Sequence, residues 1–430
     1  MELVAYGAQD IYLTGNPQIT FFKVVYRRHT NFAKEPVEVS FGGSVGGGKK
    51  VTVTVPRHGD LINQVWIEAT VTADMAASVG EGLSIIKNVE VEIGGQRIDK
   101  HNYRFMHGQC RLFKNSDELD TLASLTRVQD NVATKIMIPL QFWFCKNVGL
   151  ALPLIALQYH EVKINVEFAS NILQAAGTIG AGGGGVSITG SEISSASLWI
   201  DYIYLDTDER RRFAQVSHEY LIEQVQYSSE SLATSSGTTE KTTNIDLTFN
   251  HPVKYLMWYM GLSEDTGSVV GAANVDNSQD CYLSAAKIQL NGHDRIPERP
   301  GQYFGNFQPY QCGLGNRYHN NASQIQLTTV TNGTSEGRLN NHEGLNAPLA
   351  TAAATTGSGV KYYMYSFALQ PQEHQPSGTC NFSRIDNARL ILKHKATSDA
   401  AAQSSSLHVY GVNYNVLRIM SGMGGLAYSN

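Results

Sequence analysis

Charge is scarce in this 430-residue chain: Asp, Glu, Lys and Arg together make up 17% of it, and the formal net charge is −5. Such a balance supplies no field that would gather nucleic acid onto the bulk of the protein. Arg27-Arg28 and Arg210-Arg211-Arg212 are too short to change this and read as solvated or salt-bridged arginines. Direct nucleic-acid binding is therefore not expected. Cysteine is equally sparse. Cys110, Cys145, Cys281, Cys312 and Cys380 are odd in number, far apart and never in a Cys-x-x-Cys pair, which excludes a disulfide framework or zinc knuckle and fits reduced thiols. The opening Met1-Glu-Leu-Val-Ala has neither a basic n-region nor an apolar h-region, and no apolar run approaches the roughly 20 residues of a membrane helix. The expectation is a protein neither secreted nor membrane-spanning.

What the chain does have is hydrophobic material, 42% of its residues, enough for two ordinary cores. Its ordered-looking segments alternate with period two: Lys50–Val55, Val65–Val71, Asn88–Ile93, Val162–Phe168, Asp246–Phe249 and Ala388–Leu392. Val, Ile and Phe on one side with Thr, Glu and Lys on the other is what a half-buried antiparallel strand requires, so the fold class is all-β with short helical excursions in loops. The clearest excursion is Asn115–Leu125, where Asn115 caps, Glu118 stands at the capping-box position and Leu119, Leu122 and Leu125 recur at helical spacing.

Two halves echo one another. Val91–Ile98 and Ile288–Ile296 each read as a strand, a Gly-Gly or Asn-Gly turn and an Arg-Ile return, the chemistry of a tight hairpin. Trp199–Leu205 is likewise echoed by Leu407–Leu417. The expected division is an N-terminal arm, 1–23, a first sandwich, 24–212, and a second sandwich with a C-terminal tail, 213–430. The absence of short regular repeats argues against a propeller and for Greek-key sandwiches, the pattern alone leaving jelly roll and immunoglobulin-like forms open.

Catalytic and cofactor motifs fail on context. Gly43–Lys50 nearly spells a phosphate-cradling loop, but Lys50 replaces the metal-binding hydroxyl and a strand follows where a helix is needed. Gly333-Thr-Ser-Glu-Gly337 spells a nucleophile elbow inside a polar loop, without the flanking strand and helix. Among 13 histidines, the nearest groupings, His101 with His107 and His58 beside Asp60, lack the i, i+4 spacing of a helical zinc pair. No catalytic residue, cofactor or metal is expected. Asn321, Asn332 and Asn381 satisfy the N-glycosylation pattern; Asn321 and Asn332, in a polar loop, are the candidate acceptors, while Asn381 reads as part of a core strand.

The stretch Tyr6-Gly-Ala-Gln-Asp-Ile-Tyr-Leu-Thr-Gly-Asn-Pro-Gln-Ile-Thr-Phe-Phe-Lys23, running on to Phe32, reads as an arm that passes a polar turn and enters a first strand over Ile19–Tyr26. It closely resembles the opening of major capsid proteins of large double-stranded DNA viruses of eukaryotes, most closely the algal-virus type. Similar blocks recur at Glu92–Lys100, Gly149–Val162, Gln375–Asn387 and Asn413–Tyr428. The resemblance weakens over 169–195, 263–280 and 316–356, where small polar residues dominate as in loops.

The resemblance implies two consecutive eight-stranded jelly rolls, and a homotrimer of nearly hexagonal outline that tiles an icosahedral shell in the virion, assembled in the host cytoplasm. Implied partners are the chain itself, neighbouring capsomers and minor capsid proteins, with exterior loops or glycans meeting the host surface. Apolar stretches surplus to a sandwich are the candidate trimer contacts: Phe142, Trp143 and Phe144, Leu152 and Leu154 within Gly149–Leu157, Tyr303 and Phe304 with Phe307 and Tyr310, and Leu426 with Tyr428 in the glycine-rich tail. Ordinary core is the alternative for the first three groups, and a frayed end is the alternative for the tail. Two other roles compete: a minor capsid or vertex component, and a carbohydrate-binding or carbohydrate-cleaving β-sandwich, since jelly rolls host both activities.

Overall fold

The computed structural model of the chain describes residues 14–73 apart from 15, 19 and 25, then 79–129, 132–169, 173–174, 191–232, 240–262, 282–312, 362–395 and 405–428. Eight strands build the first sandwich: β1 (Phe32–Ser40), β2 (Lys50–Thr54), β3 (Leu61–Ala73), β4 (Ile86–Ile93), β5 (Gln96–Asn102), β6 (Thr134–Pro139), β7 (Val162–Phe168) and β8 (Ser191–Leu205). Eight more build the second: β9 (His218–Ser231), β10 (Lys241–Asp246), β11 (Pro252–Leu262), β12 (Tyr282–Leu290), β13 (His293–Pro300), β14 (Tyr362–Ser366), β15 (Ala388–Lys395) and β16 (Ser405–Met420). The sheets run β1-β8-β3-β6 and β2-β7-β4-β5, then β9-β16-β11-β14 and β10-β15-β12-β13. Both halves thus place their strands as 1-8-3-6 over 2-7-4-5, which is the jelly-roll order. The fold is a double jelly roll, and among the described residues no strand of one half pairs with a strand of the other.

Side-chain alternation explains the first sandwich. β7 points Val162, Ile164, Val166 and Phe168 inward and leaves Lys163, Asn165 and Glu167 outward, and β4 does the same with Val89, Val91 and Ile93. The polar face is knitted by cross-strand pairs: Glu90 lies 3.3 Å from Lys100 and 3.5 Å from Lys50, and Thr52 donates to Asn165 at 2.7 Å. Both expected hairpins form. Gly94 (φ 57°) with Gly95 (φ 85°), and Asn291 (φ 52°) with Gly292 (φ 78°), put two consecutive residues in the left-handed region, as the two-residue turn demands. Gly43–Lys50 is a turn as well: the Lys49 N–H returns to the Gly46 carbonyl, Gly42 bridges to Thr52, and β2 follows directly.

Residues 20–24 and 26–31 lie outside any strand, which corrects the strand expected over Ile19–Tyr26. The reason is the partner. β1 pairs along β8 only as far as Phe32 opposite Leu205, after which the chain turns at Asp206 into a helix. Phe21 and Phe22 are left 92% and 99% exposed.

Among the described residues, α1 (Tyr103–Phe113), α2 (Ser116–Thr126) and α3 (Thr207–Gln215) interrupt the strands as α-helices of two turns or more. α2 carries the anticipated reciprocal cap between Asn115 and Glu118. α3 joins the sandwiches, with Asp206 accepting the Thr207 N–H at 2.8 Å. α1 follows the hairpin β4–β5 and is capped by Asn102, whose side chain accepts the Phe105 N–H at 2.9 Å. It presses onto the second sandwich so closely that a Cβ at Gly108 would stand 2.6 Å from the Tyr362 ring and 2.9 Å from the Met257 sulfur. Gly108→Val is therefore expected to cost about 1–3 kcal/mol by overpacking. Urea denaturation checks it, and an unchanged midpoint would show that the two sandwiches separate freely there.

Candidate assembly surfaces

Packing between the two sandwiches comes first, because it decides which faces remain for a partner. β11 reads Pro-Val-Lys-Tyr-Leu-Met-Trp-Tyr-Met-Gly-Leu, nearly unbroken apolar sequence, because its sheet is covered on both sides. Leu256, Trp258 and Met260 enter the core of the second sandwich, whereas Tyr255, Met257 and Tyr259 join the core that includes the first. Across this seam Phe105 packs on Tyr410 (ring centroids 5.7 Å) and Phe113 on Tyr255 (5.2 Å). Arg111 donates to His107 Nε2 at 3.2 Å, so His107 Nδ1–H is the donor to the Tyr362 hydroxyl, 2.8 Å away.

Charge is buried in the seam. Glu223 of β9 accepts from Lys254 of β11 and, at 3.2 Å, from Lys146 of the first sandwich. Burial pushes the Glu223 carboxyl up, but the two ammonium groups outweigh it and hold it at about 2. Burial pulls Lys254 down to about 8, with Glu223 restoring only part of the loss. Asp99 adds a second link, accepting the Val225 N–H at 3.0 Å while its other oxygen lies 2.8 Å from His101 Nε2. His408 of β16 shares a 2.7 Å hydrogen bond with the Tyr227 hydroxyl through Nδ1, while its buried Nε2 has no hydrogen-bond partner. Its ring lies against Tyr259, which also carries the Arg104 guanidinium 4.6 Å from its centroid. Burial, and then the Arg104 charge, hold His408 down at about 4.

The carboxyl end closes the seam from outside. After β16 the chain turns at Ser421-Gly422 into β17 (Met423–Leu426), which pairs back on β16 and also reaches the first sandwich. The Gly422 carbonyl accepts the Tyr159 N–H at 3.0 Å, the Gly424 N–H donates to His160 Nδ1 at 3.1 Å, and the Leu426 N–H donates to Gln96 at 3.3 Å. Gly424 lies against Leu157 and Ile93, where any Cβ would collide.

These facts relocate most of the residues expected at a subunit boundary. Phe142, Trp143, Phe144, Leu152 and Leu154 are core residues of the first sandwich and Phe304 is a core residue of the second, a correction to their expected place. The aromatic triplet 142–144 packs on itself and on His101 beneath the seam. Leu426 is half-buried on its own chain, in a tail that straps two halves of one molecule together. Tyr303 is partly buried beside Phe304, and Tyr428 is exposed. Asn381 does lie in a short strand, Cys380–Asn381, paired with β11 opposite Pro252, but it is exposed, its side chain accepting the Ser383 N–H at 3.1 Å while Phe382 fills the core. Asn321, Asn332 and the 333–337 motif lie outside the described residues.

Among the described residues no three His, Cys, Asp or Glu side chains gather closely enough to hold a metal, and no helix is long and apolar enough to cross a membrane. The seam charges Glu223, Lys254 and His408 are what sequence reasoning missed. One signal was available: a single lysine inside the apolar run 252–262 must find a buried partner.

Comparison with known proteins agrees with this architecture half by half. The family described as major capsid protein N-terminus matches residues 20–206, and the large eukaryotic DNA virus major capsid protein family matches 209–315 and 347–425. The major capsid protein of Pyramimonas orientalis virus is 49% identical, over 100% of this chain and 99% of that one. That of Paramecium bursaria Chlorella virus 1 is 42% identical with the same coverage. A chain of the PBCV-1 virus capsid superposes with a TM-score of 0.72 at 38% identity, covering 96% of this chain and 100% of that one. The Faustovirus major capsid protein shares the fold, with a TM-score of 0.64 at 13% identity, over 96% of this chain and 94% of that one. With both jelly rolls matched along nearly their whole length, the chain belongs to the major capsid protein family of large eukaryotic DNA viruses.

Proposed function

We propose that this protein is a structural subunit of a virus shell, in which three copies form a pseudo-hexagonal capsomer and capsomers tile an icosahedral capsid. The observation that carries the reading is the rigid tandem: two jelly rolls of the same strand order, locked by a seam with buried charge and an outer strap, so that three chains present six similar walls. Relatives matched end to end are named major capsid proteins, which favours the major over a minor or vertex component. The arm, 1–23, precedes sandwiches assigned to 24–212 and 213–430, and its exposed Phe21 and Phe22 suit a segment that gains contacts on assembly. Partners are further copies of the chain, neighbouring capsomers and minor capsid proteins. Asn321 and Asn332 are the glycan acceptors, and assembly takes place in the host cytoplasm. The role requires no turnover, cofactor or metal. Sedimentation of the purified protein is expected to show a stable trimer, and a 47.1 kDa monomer across micromolar concentrations would overturn the reading.

A further inference from the structure

The two sandwiches share a strand order but differ in what covers them. In the second, the outer face of β9-β16-β11-β14 is hidden: Tyr410, Met257 and Met364 lie in one row across its middle and all are buried. What hides it is α1, the segment between the fifth and sixth strands of the first sandwich. In the first sandwich the corresponding row on β8, β3 and β6 is Trp199, Trp66 and Pro139, with Met137 one step along β6 and Glu38 beyond on β1. Trp66 and Trp199 stack with centroids 6.0 Å apart and planes 7° from parallel, only half-buried, and Met137 is 38% exposed. The indole N–H of Trp199 is buried without a hydrogen-bond partner.

The second sandwich also owns an equivalent of α1. Residues 301–312, again between a fifth and a sixth strand, coil helically and carry Tyr303 in their first turn. Phe304 points into the core, while Phe307 stacks on Tyr303 (5.5 Å) and stands 50% exposed beside Tyr310, 56% exposed. Arg299 sits 5.8 Å from the Tyr303 centroid, a positive charge next to this aromatic knob. Within one chain, then, the helical segment of sandwich one seats on the outer sheet face of sandwich two. The chain also carries a second copy of each half of that contact, both with exposed aromatic or apolar surface.

Building on the shell reading, we infer that the Phe307–Tyr310 knob of one copy docks on the Trp66–Trp199 face of the next, repeating between chains the contact that α1 makes within a chain. The occupant of the tryptophan face is thus a second copy of this protein. Such a contact is head-to-tail, with different surfaces on the two sides. Alternating with the internal seam it forms a closed ring where the rotation per chain permits, and the shell reading requires that ring to hold three chains. Charge agrees: Arg299 accompanies the knob, and Glu38 borders the face next to Trp199.

The test uses the full-length protein with substitutions at exposed positions that leave both cores intact. Phe307→Glu and Met137→Glu should each shift the sedimenting species from trimer to monomer, lowering the association constant at least tenfold. Phe307→Cys combined with Met137→Cys, treated with a bifunctional maleimide, should yield covalent dimers and trimers that neither single cysteine variant gives. Trimers that persist in both charge variants, with no ladder in the double cysteine protein, would overturn this docking while leaving the capsid reading in place. A wild-type protein that never leaves the monomer would instead remove the capsid reading itself.

Discussion

Replacing Glu223 with leucine is expected to destabilise the protein by about 3–5 kcal/mol, the usual consequence of stripping the partner from a buried charge. Lys254 is almost fully buried and would keep its ammonium group with only the aromatic rings of Tyr255 and Tyr414 nearby, and Lys146 would lose its anchor across the seam. The comparison that gives the experiment its force is Glu223→Leu with Lys254→Met. Since burial already holds Lys254 below its ordinary value, removing both charges should recover most of the loss. Urea midpoints of the wild type, the single and the double variant decide it; a single variant within about 1 kcal/mol of wild type would sink the idea. The acid response has a definite sign. Glu223 is held at about 2 against an ordinary 4.5, so its contribution is present above pH 4.5 and disappears as pH falls toward 2.

Acid should soften the seam before that, through His408. Its folded value of about 4 lies below the ordinary 6.5, so between these limits the unfolded chain takes up a proton that the folded chain refuses. Stability therefore falls as pH drops from 6.5 to about 4, by about 3 kcal/mol for a shift of this size, and the contribution levels off below that. The groups that face His408 explain the refusal: Arg104 on α1 brings positive charge, while Tyr227 on β9 and Tyr259 on β11 offer rings and hydroxyls but no carboxylate. His408→Phe keeps the stacking and removes the titration, so its urea midpoint should change less than wild type between pH 6.5 and 4. His394, also held low by burial and then by Lys241, leaves a residual slope in both proteins. Parallel curves for the two proteins would count decisively against His408 as the source.

How much of this was legible in the sequence depends on how local the cause is. The hairpin turns at Gly94-Gly95 and Asn291-Gly292 and the cap of α2 follow from residues within four positions of one another, and they stand where the sequence places them. Helix α1 was not anticipated, and the reason for its Gly108 lies in a tyrosine ring 254 positions away. The tail misled for a related reason. Its glycines do signal close approach, but only the folded chain reveals that the surface approached is Leu157 and Ile93 of the same molecule. The aromatic triplet 142–144 looked surplus to a single sandwich, but it packs on itself and on His101 and is buried within the first one. Composition counts apolar side chains without saying which boundary they fill.

The position of β16 has a temporal consequence. It is an inner strand of its sheet, flanked by β9 and β11, yet a ribosome delivers it after both of them and after β14. A nascent chain that already holds a finished first sandwich still exposes the tyrosine faces of β9 and β11 until residues 405–426 emerge, and only then can the joint be sealed. Chains that stop before residue 405 would lack the clasp altogether and leave those faces open.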